Sequence, residues 1–133
     1  MQRVVIDTNV IVSSFISPHS IPAKVIDLIA LDNEFVICYN EAILFEYQEV
    51  LTREKFDKYN FNPDEIAKFI NKVKAAGFLV EPSASNISLP DESDRIFYDT
   101  AKESGAVLIT GNTKHYPPEH FIITPLIFFT NLN

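Results

Sequence analysis

Short apolar runs alternate with longer amphipathic stretches along the chain. Five runs rich in Val, Ile, Leu and Phe predict strands, at residues 4–6, 35–39, 78–80, 107–109 and 121–123. A strand that is apolar at consecutive positions is buried on both faces, as the central strands of parallel sheets are. Between these runs, apolar residues recur at helical spacing, for example at Val25, Ile26, Leu28 and Ile29. The pattern therefore predicts alternating strands and helices.

Capping residues and glycines mark the helix boundaries. The predicted helices run from Asn9 or Val10 to Phe15, from Pro22 onward, from Asn40 to Leu51, from Asn62 to Ala76, from Ser93 to Ser104 and from Thr124 onward. Gly77 and Gly105 directly follow two of them, as C-terminal glycines commonly do. We predict one domain over residues 1–133, with an α/β fold of three-layer α/β/α type around a mainly parallel central sheet. The pattern leaves open whether an edge strand runs antiparallel.

Composition indicates the cellular environment in which this chain folds. A chain of 133 residues can bury a core without disulfides, and the single cysteine, Cys38, lies within an apolar run. We therefore expect a reducing, cytoplasmic environment. The first strand begins close to Met1, which leaves no room for a signal peptide, and no apolar stretch reaches the ~18 residues of a membrane helix. These observations predict a soluble protein with no membrane partner.

The formal net charge of -7 bears on nucleic-acid binding. The bulk field of an acidic protein repels polyanions, which argues against broad electrostatic attraction to RNA or DNA. Carboxylates that share one cleft would nevertheless hold divalent cations, and these cations reverse the local field that a phosphate meets. The charge is therefore compatible with a metal-bridged nucleic-acid enzyme.

Polar residues follow two of the predicted strands directly. Asp7 ends the first strand, at the position where open α/β sheets bind ligands. The alternative is an Asp that caps the following helix, and position alone supports the two interpretations equally. Thr110-Gly111-Asn112 ends the strand at 107–109 and is expected at the same edge of the sheet. A threonine hydroxyl and an asparagine amide can orient a water molecule at a metal there.

Two further carboxylates stand out in predicted helices. Glu46 shares a helical face with Ile43 and Val50, so it needs a partner or a metal unless it lies at the edge of the apolar stripe. Asp94 lies near the start of its helix, where it either binds a ligand or interacts favourably with the helix dipole. If Asp7, Glu46 and Asp94 share one cleft, they form an all-oxygen site that suits Mg²⁺ or Mn²⁺. Such a site implies phosphodiester hydrolysis.

The carboxylates near Asp94 are interpreted differently. Asp91 and Glu92 are expected to be solvated loop charges, although either could reach a metal. Asp99 lies five residues past Asp94, about 140° further round the helix, and is expected to face solvent.

Taken in order, these segments resemble the successive motifs of the PIN domain. The resemblance is carried by Val4-Val5-Ile6-Asp7-Thr8-Asn9-Val10, by Glu46 in its helix, by Asp94 to Ala101, by Leu108 to Asn112 and by Ile123-Thr124-Pro125. Each motif is weak alone, but the ordered set covers nearly the whole chain. The chain most resembles the group that includes toxin components of bacterial toxin–antitoxin pairs.

The resemblance implies a metal-dependent endoribonuclease, with RNA as its substrate and an antitoxin protein as its partner. By motif, Asp7, Glu46 and Asp94 would be the catalytic carboxylates that hold Mg²⁺ or Mn²⁺. Thr8 and Thr110 would be supporting hydroxyls, and Asn9 would position Asp7 through a hydrogen bond.

Asn112 departs from the family pattern, because many members have Asp there. The missing charge could weaken a second metal or leave a single-metal site. A second hypothesis is therefore a PIN-like binding module that binds RNA or an antitoxin without turnover. A phosphatase of the haloacid dehalogenase type also begins with a strand-end Asp, but it needs a second Asp two residues later, where this chain has Asn9.

RNA binding also requires positive or aromatic contacts. Lys114 and His115 follow the Thr110 loop and are candidate phosphate contacts, with solvated surface charges as the alternative. The remaining candidates are the basic residues Lys24, Arg53, Lys55 and Arg95 and, if they are exposed, the base-stacking residues Tyr98 and Tyr116. The apolar run at 126–129 is expected to dock on the core, with a homodimer surface as the alternative.

Overall fold

The computed structural model describes residues 1–132. The strands are β1 (Gln2–Ile6), β2 (Phe35–Tyr39), β3 (Phe78–Leu79), β4 (Val107–Ile109) and β5 (Ile122–Ile123). The helices are α1 (Thr8–Ile16), α2 (Ile21–Leu31), α3 (Glu41–Leu51), α4 (Pro63–Ala76), α5 (Arg95–Ser104) and α6 (Pro125–Thr130). Short 3-10 helices cover Glu54–Tyr59, Glu92–Asp94 and Thr113–His115.

The five strands form one sheet in the order β3-β2-β1-β4-β5, and every pairing is parallel. The predicted α/β class is confirmed, and neither edge strand is antiparallel. β1 lies at the centre of the sheet, and its residues Val4, Val5 and Ile6 are fully buried. The strand order reverses between β1 and β4, and sheets of this type bind ligands beside that point, at the carboxyl ends of the strands.

The helices pack around this sheet. α5 packs against β1, β2 and β4, while α2 and α4 pack against β2. The predicted caps at Asn40 and Asn62 are confirmed, since each side chain accepts a backbone N–H in the first turn of its helix. Gly105 has a φ of 68° after α5, a left-handed conformation that side chains with a Cβ rarely adopt.

The terminal helix α6 docks on α2, as expected. Phe128 is buried, whereas Leu126 and Ile127 remain exposed. A homodimer therefore stays a prediction. Within residues 1–132, the chain forms no helix with the length and apolarity that a bilayer crossing requires.

The prediction that Asp99 faces solvent is wrong. Asp99 is 5% exposed, and its Oδ2 accepts a hydrogen bond from the backbone N–H of Ser85 at 3.2 Å. The irregular segment 81–90 covers this side of α5, and Arg95 holds it by donating to the backbone carbonyls of Ser85 and Ile87. Helix geometry mispredicted the exposure of Asp99 because it contains no information about the loop that covers this residue.

The same packing removes three candidate RNA contacts. The guanidinium of Arg95 is engaged with the loop and with Glu92. Tyr98 and Tyr116 are both buried, so neither can stack on a base. Both belong to the hydrophobic core.

Candidate functional site

Strand register brings Asp7 and Thr110 together. Ile6 of β1 lies opposite Ile109 of β4, and the next residue of each strand reaches the same edge of the sheet. The backbone N–H of Asp7 donates to the carbonyl of Ile109 at 2.9 Å. The Thr110 hydroxyl donates to Asp7 Oδ2, also at 2.9 Å. The juxtaposition expected from the two strand ends is therefore present.

Asp7 occupies the N-cap position of α1 but makes no capping hydrogen bond. Its Oδ2 instead accepts from Thr110, from Tyr116 Oη at 2.7 Å and, at 3.4 Å, from Asn9 Nδ2. All three bonds fall on one oxygen, which leaves Oδ1 outside this network. Burial raises the pKa of Asp7, while the hydrogen bonds from Tyr116 and Thr110 lower it. The side chain is thus held by tertiary partners rather than by its helix.

Tyr116 is a site residue that the sequence did not reveal. Its hydroxyl lies 109 residues from Asp7 in sequence, and its position before Pro117 is equally suited to a core aromatic. Burial and the negative charge of Asp7 raise the pKa of Tyr116, which keeps the phenol protonated as a donor. The only signal in the sequence is a polar-tipped aromatic just past the Thr110 loop.

Asn9 joins the first turn of α1 to the loop after β4. Its Oδ1 accepts the backbone N–H of Gly111 at 2.9 Å, and its Nδ2 lies 3.4 Å from Thr110 Oγ1. A Cβ at Gly111 would lie 3.2 Å from Asn9 Oδ1, so a side chain there would press on this contact. Glycine at this position permits the close approach.

Glu46 lies half-buried on α3, between the buried residues Ile43 and Val50. Burial raises the pKa of Glu46, and the charges of Glu49 and Asp7 act in the same direction.

Two buried polar residues fix α3 beside the site. The Tyr47 hydroxyl donates to the carbonyl of Ile6, the last residue of β1, at 2.6 Å. The Asn40 amide donates to the Thr100 hydroxyl of α5 at 2.9 Å. These bonds tie the helix that carries Glu46 to the strand before Asp7 and to the helix after Asp94.

Asp94 precedes α5 and also makes no capping hydrogen bond. Its side chain is 15% exposed, and its Oδ2 lies 3.2 Å from His115 Nδ1. Burial raises the pKa of Asp94 to about 6, with the negative charges of Asp7 and Asp91 adding to the effect. Asp91, interpreted from the sequence as a loop charge, therefore contributes to the field of the site.

His115 and Asn112 extend this side of the site. Asn112 Nδ2 lies 2.9 Å from His115 Nε2, so the amide donates to Nε2 and the imidazole proton on Nδ1 points to Asp94. The backbone N–H of Asn112 donates to Thr110 Oγ1 at 3.1 Å, which connects this chain of bonds to Asp7. Lys114 is exposed beside it. Contact of Lys114 or His115 with RNA stays a prediction.

The three carboxylates do not form a ligand set. Burial is the main cause of the raised pKa of Glu46 and of Asp94, and the charge of Asp7 adds to both. In the part of the chain that the structure describes, no three His, Cys, Asp or Glu side chains are close enough to hold a metal ion. The Thr8 hydroxyl, next to Asp7 in sequence, is buried without a hydrogen-bond partner among residues 1–132. Such a group is where an additional polar ligand or water is expected.

Comparison with known proteins identifies the family. Residues 3–114 match the family model of the PIN domain. The chain belongs to the PIN domain family. A relative, the uncharacterized protein MJ1680 of Methanocaldococcus jannaschii, is 34% identical over 110 residues, which cover 83% of this chain and 70% of the relative. The resemblance drawn from the ordered motifs is confirmed.

A solved structure supports the fold of this PIN domain. It is the crystal structure of VapBC2 from Rickettsia felis bound to a DNA fragment from their promoter. The match has a TM-score of 0.57 and 16% identity, and it covers 92% of this chain and 97% of the other chain. The similarity therefore concerns the arrangement of strands and helices.

Proposed function

We propose that this PIN-domain chain is a Mg²⁺- or Mn²⁺-dependent endoribonuclease that acts as the toxin of a toxin–antitoxin pair. One observation carries the proposal: Asp7 is buried at the carboxyl end of β1 with Thr110 and Tyr116 donating to one of its oxygens. Burial raises the pKa values of Asp7, Glu46 and Asp94, and the charge of Asp7 adds to the effect on the other two. Carboxylates that repel one another at partly buried positions are stabilised by a cation between them.

The donor set fits a hard divalent cation. Asp7, Glu46 and Asp94 would hold it through oxygen atoms, which Mg²⁺ and Mn²⁺ prefer. Asp7 Oδ1 lies outside the hydrogen bonds that converge on Oδ2. The ion, when bound, supplies Lewis acidity for hydrolysis at phosphorus. Glu46 and Asp94 would have to move toward Asp7, since the described residues do not present a closed ligand set.

Neighbouring residues hold Asp7 and Asp94 in the protein without an ion. Thr110 and Tyr116 hold Asp7 Oδ2 and thereby fix the direction of Oδ1. His115 donates from Nδ1 to Asp94, and Asn112 fixes the tautomer that makes this possible. Groups that orient ligands in this way support both metal affinity and activity.

The toxin role and the antitoxin partner rest on the family. The motifs of this chain resemble those of PIN proteins that act as toxins, and we extend that role to this chain. The partner would be a small protein encoded beside it, and RNA would be the substrate.

Cleavage of RNA tests the enzyme directly. We expect Mn²⁺ to support cleavage, EDTA to abolish it, and Asp7→Asn to lower kcat/KM at least about 100-fold, because the ion supplies several kcal/mol to the transition state. The matched control is Asp64→Asn, which removes an exposed carboxylate from the first turn of α4. Cleavage in EDTA, or full activity of Asp7→Asn, would contradict the mechanism.

A second candidate function is a binding module without turnover. It is favoured by Asn112, whose amide bonds His115 at the position where the resemblance to the family leads us to expect Asp. This function predicts no RNA cleavage by the wild-type chain, tight binding of a genomically adjacent small protein, and a gain of cleavage in Asn112→Asp. Cleavage by the unmodified chain would exclude it.

A further inference from the structure

A small pocket adjoins the carboxylate site on the side of α1. Its volume is about 270 Å³, and its walls include Asn9 and Ser13 of α1, Gly111 and Asn112 of the loop after β4, and the rings of Pro22 and Pro125. Four separate segments of the chain therefore meet around it. Of the residues that line the pocket, only Asn9 and Asn112 have a role in the proposed chemistry.

The pocket shares two walls with the site. Asn9 lines the pocket and also lies 3.4 Å from Asp7 Oδ2 through its amide nitrogen. Asn112 lines it and donates to His115, which in turn contacts Asp94. One side chain, Asn9, thus lies between the pocket and Asp7, while Asn112 and His115 lie between the pocket and Asp94.

The lining of the pocket carries no charge. None of its residues is Asp, Glu, Lys, Arg or His, although the chain as a whole has a net charge of -7. A phosphate finds no cation here, and an ammonium group finds no carboxylate. The walls instead combine the apolar rings of Pro22 and Pro125 and the buried Val10 with the amide of Asn112 and the hydroxyl of Ser13. This chemistry suits a neutral, flat and polar-edged group.

A nucleobase is such a group. Neutral amides and hydroxyls pair with base edges, and Asn112 Nδ2 is used by His115, which leaves its amide oxygen as an acceptor. Bases of single-stranded RNA can turn outward from the strand and enter protein pockets, whereas paired bases cannot.

We propose that this pocket binds the base adjacent to the phosphate that the carboxylates act on, in single-stranded RNA. The inference rests on the proposed ribonuclease function. It deepens that function, because it places selection of the cleavage position in Ser13 and Asn112 rather than in surface cations. It also explains the close packing of Gly111 on Asn9, which shapes the wall between pocket and site.

Free nucleosides test the pocket without metal or turnover. Adenosine, guanosine, cytidine and uridine are titrated into metal-free protein while the backbone amide signals are followed by NMR. We expect at least one nucleoside to cause saturable shifts at Ser13, Gly111 and Asn112. Ser13→Phe fills the pocket and should remove these shifts, with Ser13→Leu as a smaller replacement if the Phe variant does not fold. Ile16→Phe, which adds the same ring on an exposed part of α1, should retain them.

Cleavage mapping gives the second readout. With the wild-type chain active, Ser13→Phe should lower kcat/KM for single-stranded RNA about tenfold and change the base preference at the cut, as expected for the loss of one base contact. Its Mn²⁺ affinity should equal that of the wild type.

The outcomes separate the two proposals. Nucleoside shifts at the pocket in a chain that cleaves no RNA would overturn the ribonuclease function and retain the pocket as a base-binding site. Cleavage with no nucleoside shifts, and with unchanged cut positions in Ser13→Phe and Ser13→Leu, would overturn the pocket and retain the enzyme.

Discussion

The two sides of Asp7 are built in different ways. On one side, neutral donors from Thr110, Tyr116 and Asn9 converge on Oδ2 and satisfy it within the protein. On the other side, burial raises the pKa values of Glu46 and Asp94, and the charge of Asp7 adds to the effect. The first side is complete as the chain folds. The second side consists of carboxylates whose pKa values are raised by burial, and a cation bound there would stabilise their charged forms.

This difference assigns separate tasks to the two sides. The hydrogen-bonded side orients Asp7, while in the proposed enzyme the carboxylate side would supply the affinity for an ion. A substitution on the first side should lower the affinity for an ion while leaving the carboxylates that would bind it. A change on the second side should relieve repulsion in the metal-free protein and lose the ion as well.

Tyr116→Phe is the larger test of the hydrogen-bonded side. It removes the hydroxyl that donates to Asp7 at 2.7 Å and keeps the buried ring. We expect Mn²⁺ affinity to fall about 10–100-fold, the usual effect of losing a group that orients a metal ligand. Calorimetric titration with Mn²⁺ measures this effect.

Tyr98→Phe is the matched control for that variant. Tyr98 is also buried and its hydroxyl also donates to a carboxylate, that of Glu119, away from the site. It should keep the wild-type affinity for Mn²⁺. Equal affinities for the two variants would show that Tyr116 has no part in orienting Asp7.

The roles of Tyr116 and Asp99 show where local pattern stops being informative. The strands and caps were predictable because each depends on neighbouring residues, such as the consecutive apolar positions of β1 or the Asn40 cap. Asp7 and Thr110 were also predictable as neighbours, since parallel strands end at one edge. Tyr116 reaches Asp7 across 109 residues, and the loop that covers Asp99 packs only in the folded chain. Contacts of this kind leave no periodic signal in the sequence.

Asp94→Asn is the smaller test and concerns the carboxylate side. The pKa of Asp94 is raised from 3.8 to about 6, so the folded state binds this proton more tightly than the unfolded state. Stability from this group is present below pH 3.8 and is lost as the pH rises through about 6. At pH 7, without metal, Asp94→Asn should raise the free energy of unfolding by about 1–2 kcal/mol after allowance for solvent screening.

Asp64→Asn is the matched control, and it is not expected to raise the free energy of unfolding. Asp64 is exposed in the first turn of α4, where a negative charge is favourable to the helix. This variant should be unchanged or less stable by about 0.3–1 kcal/mol. Urea unfolding of both variants at pH 4 and pH 7 measures the difference. A loss of stability in Asp94→Asn at pH 7 would mean that burial and the neighbouring charges do not destabilise the ionised form of this carboxyl group.

Calorimetric titration of the wild-type chain and Asp7→Asn with Mn²⁺ at pH 7 tests the central claim most directly, because it measures the ion itself rather than its consequences. The repelling carboxylates predict saturable binding to the wild type, and at least about 100-fold weaker binding to a folded Asp7→Asn. The absence of saturable binding to the wild type, or equal binding by the two proteins, would contradict the assignment of Asp7 as the anchor of a metal site.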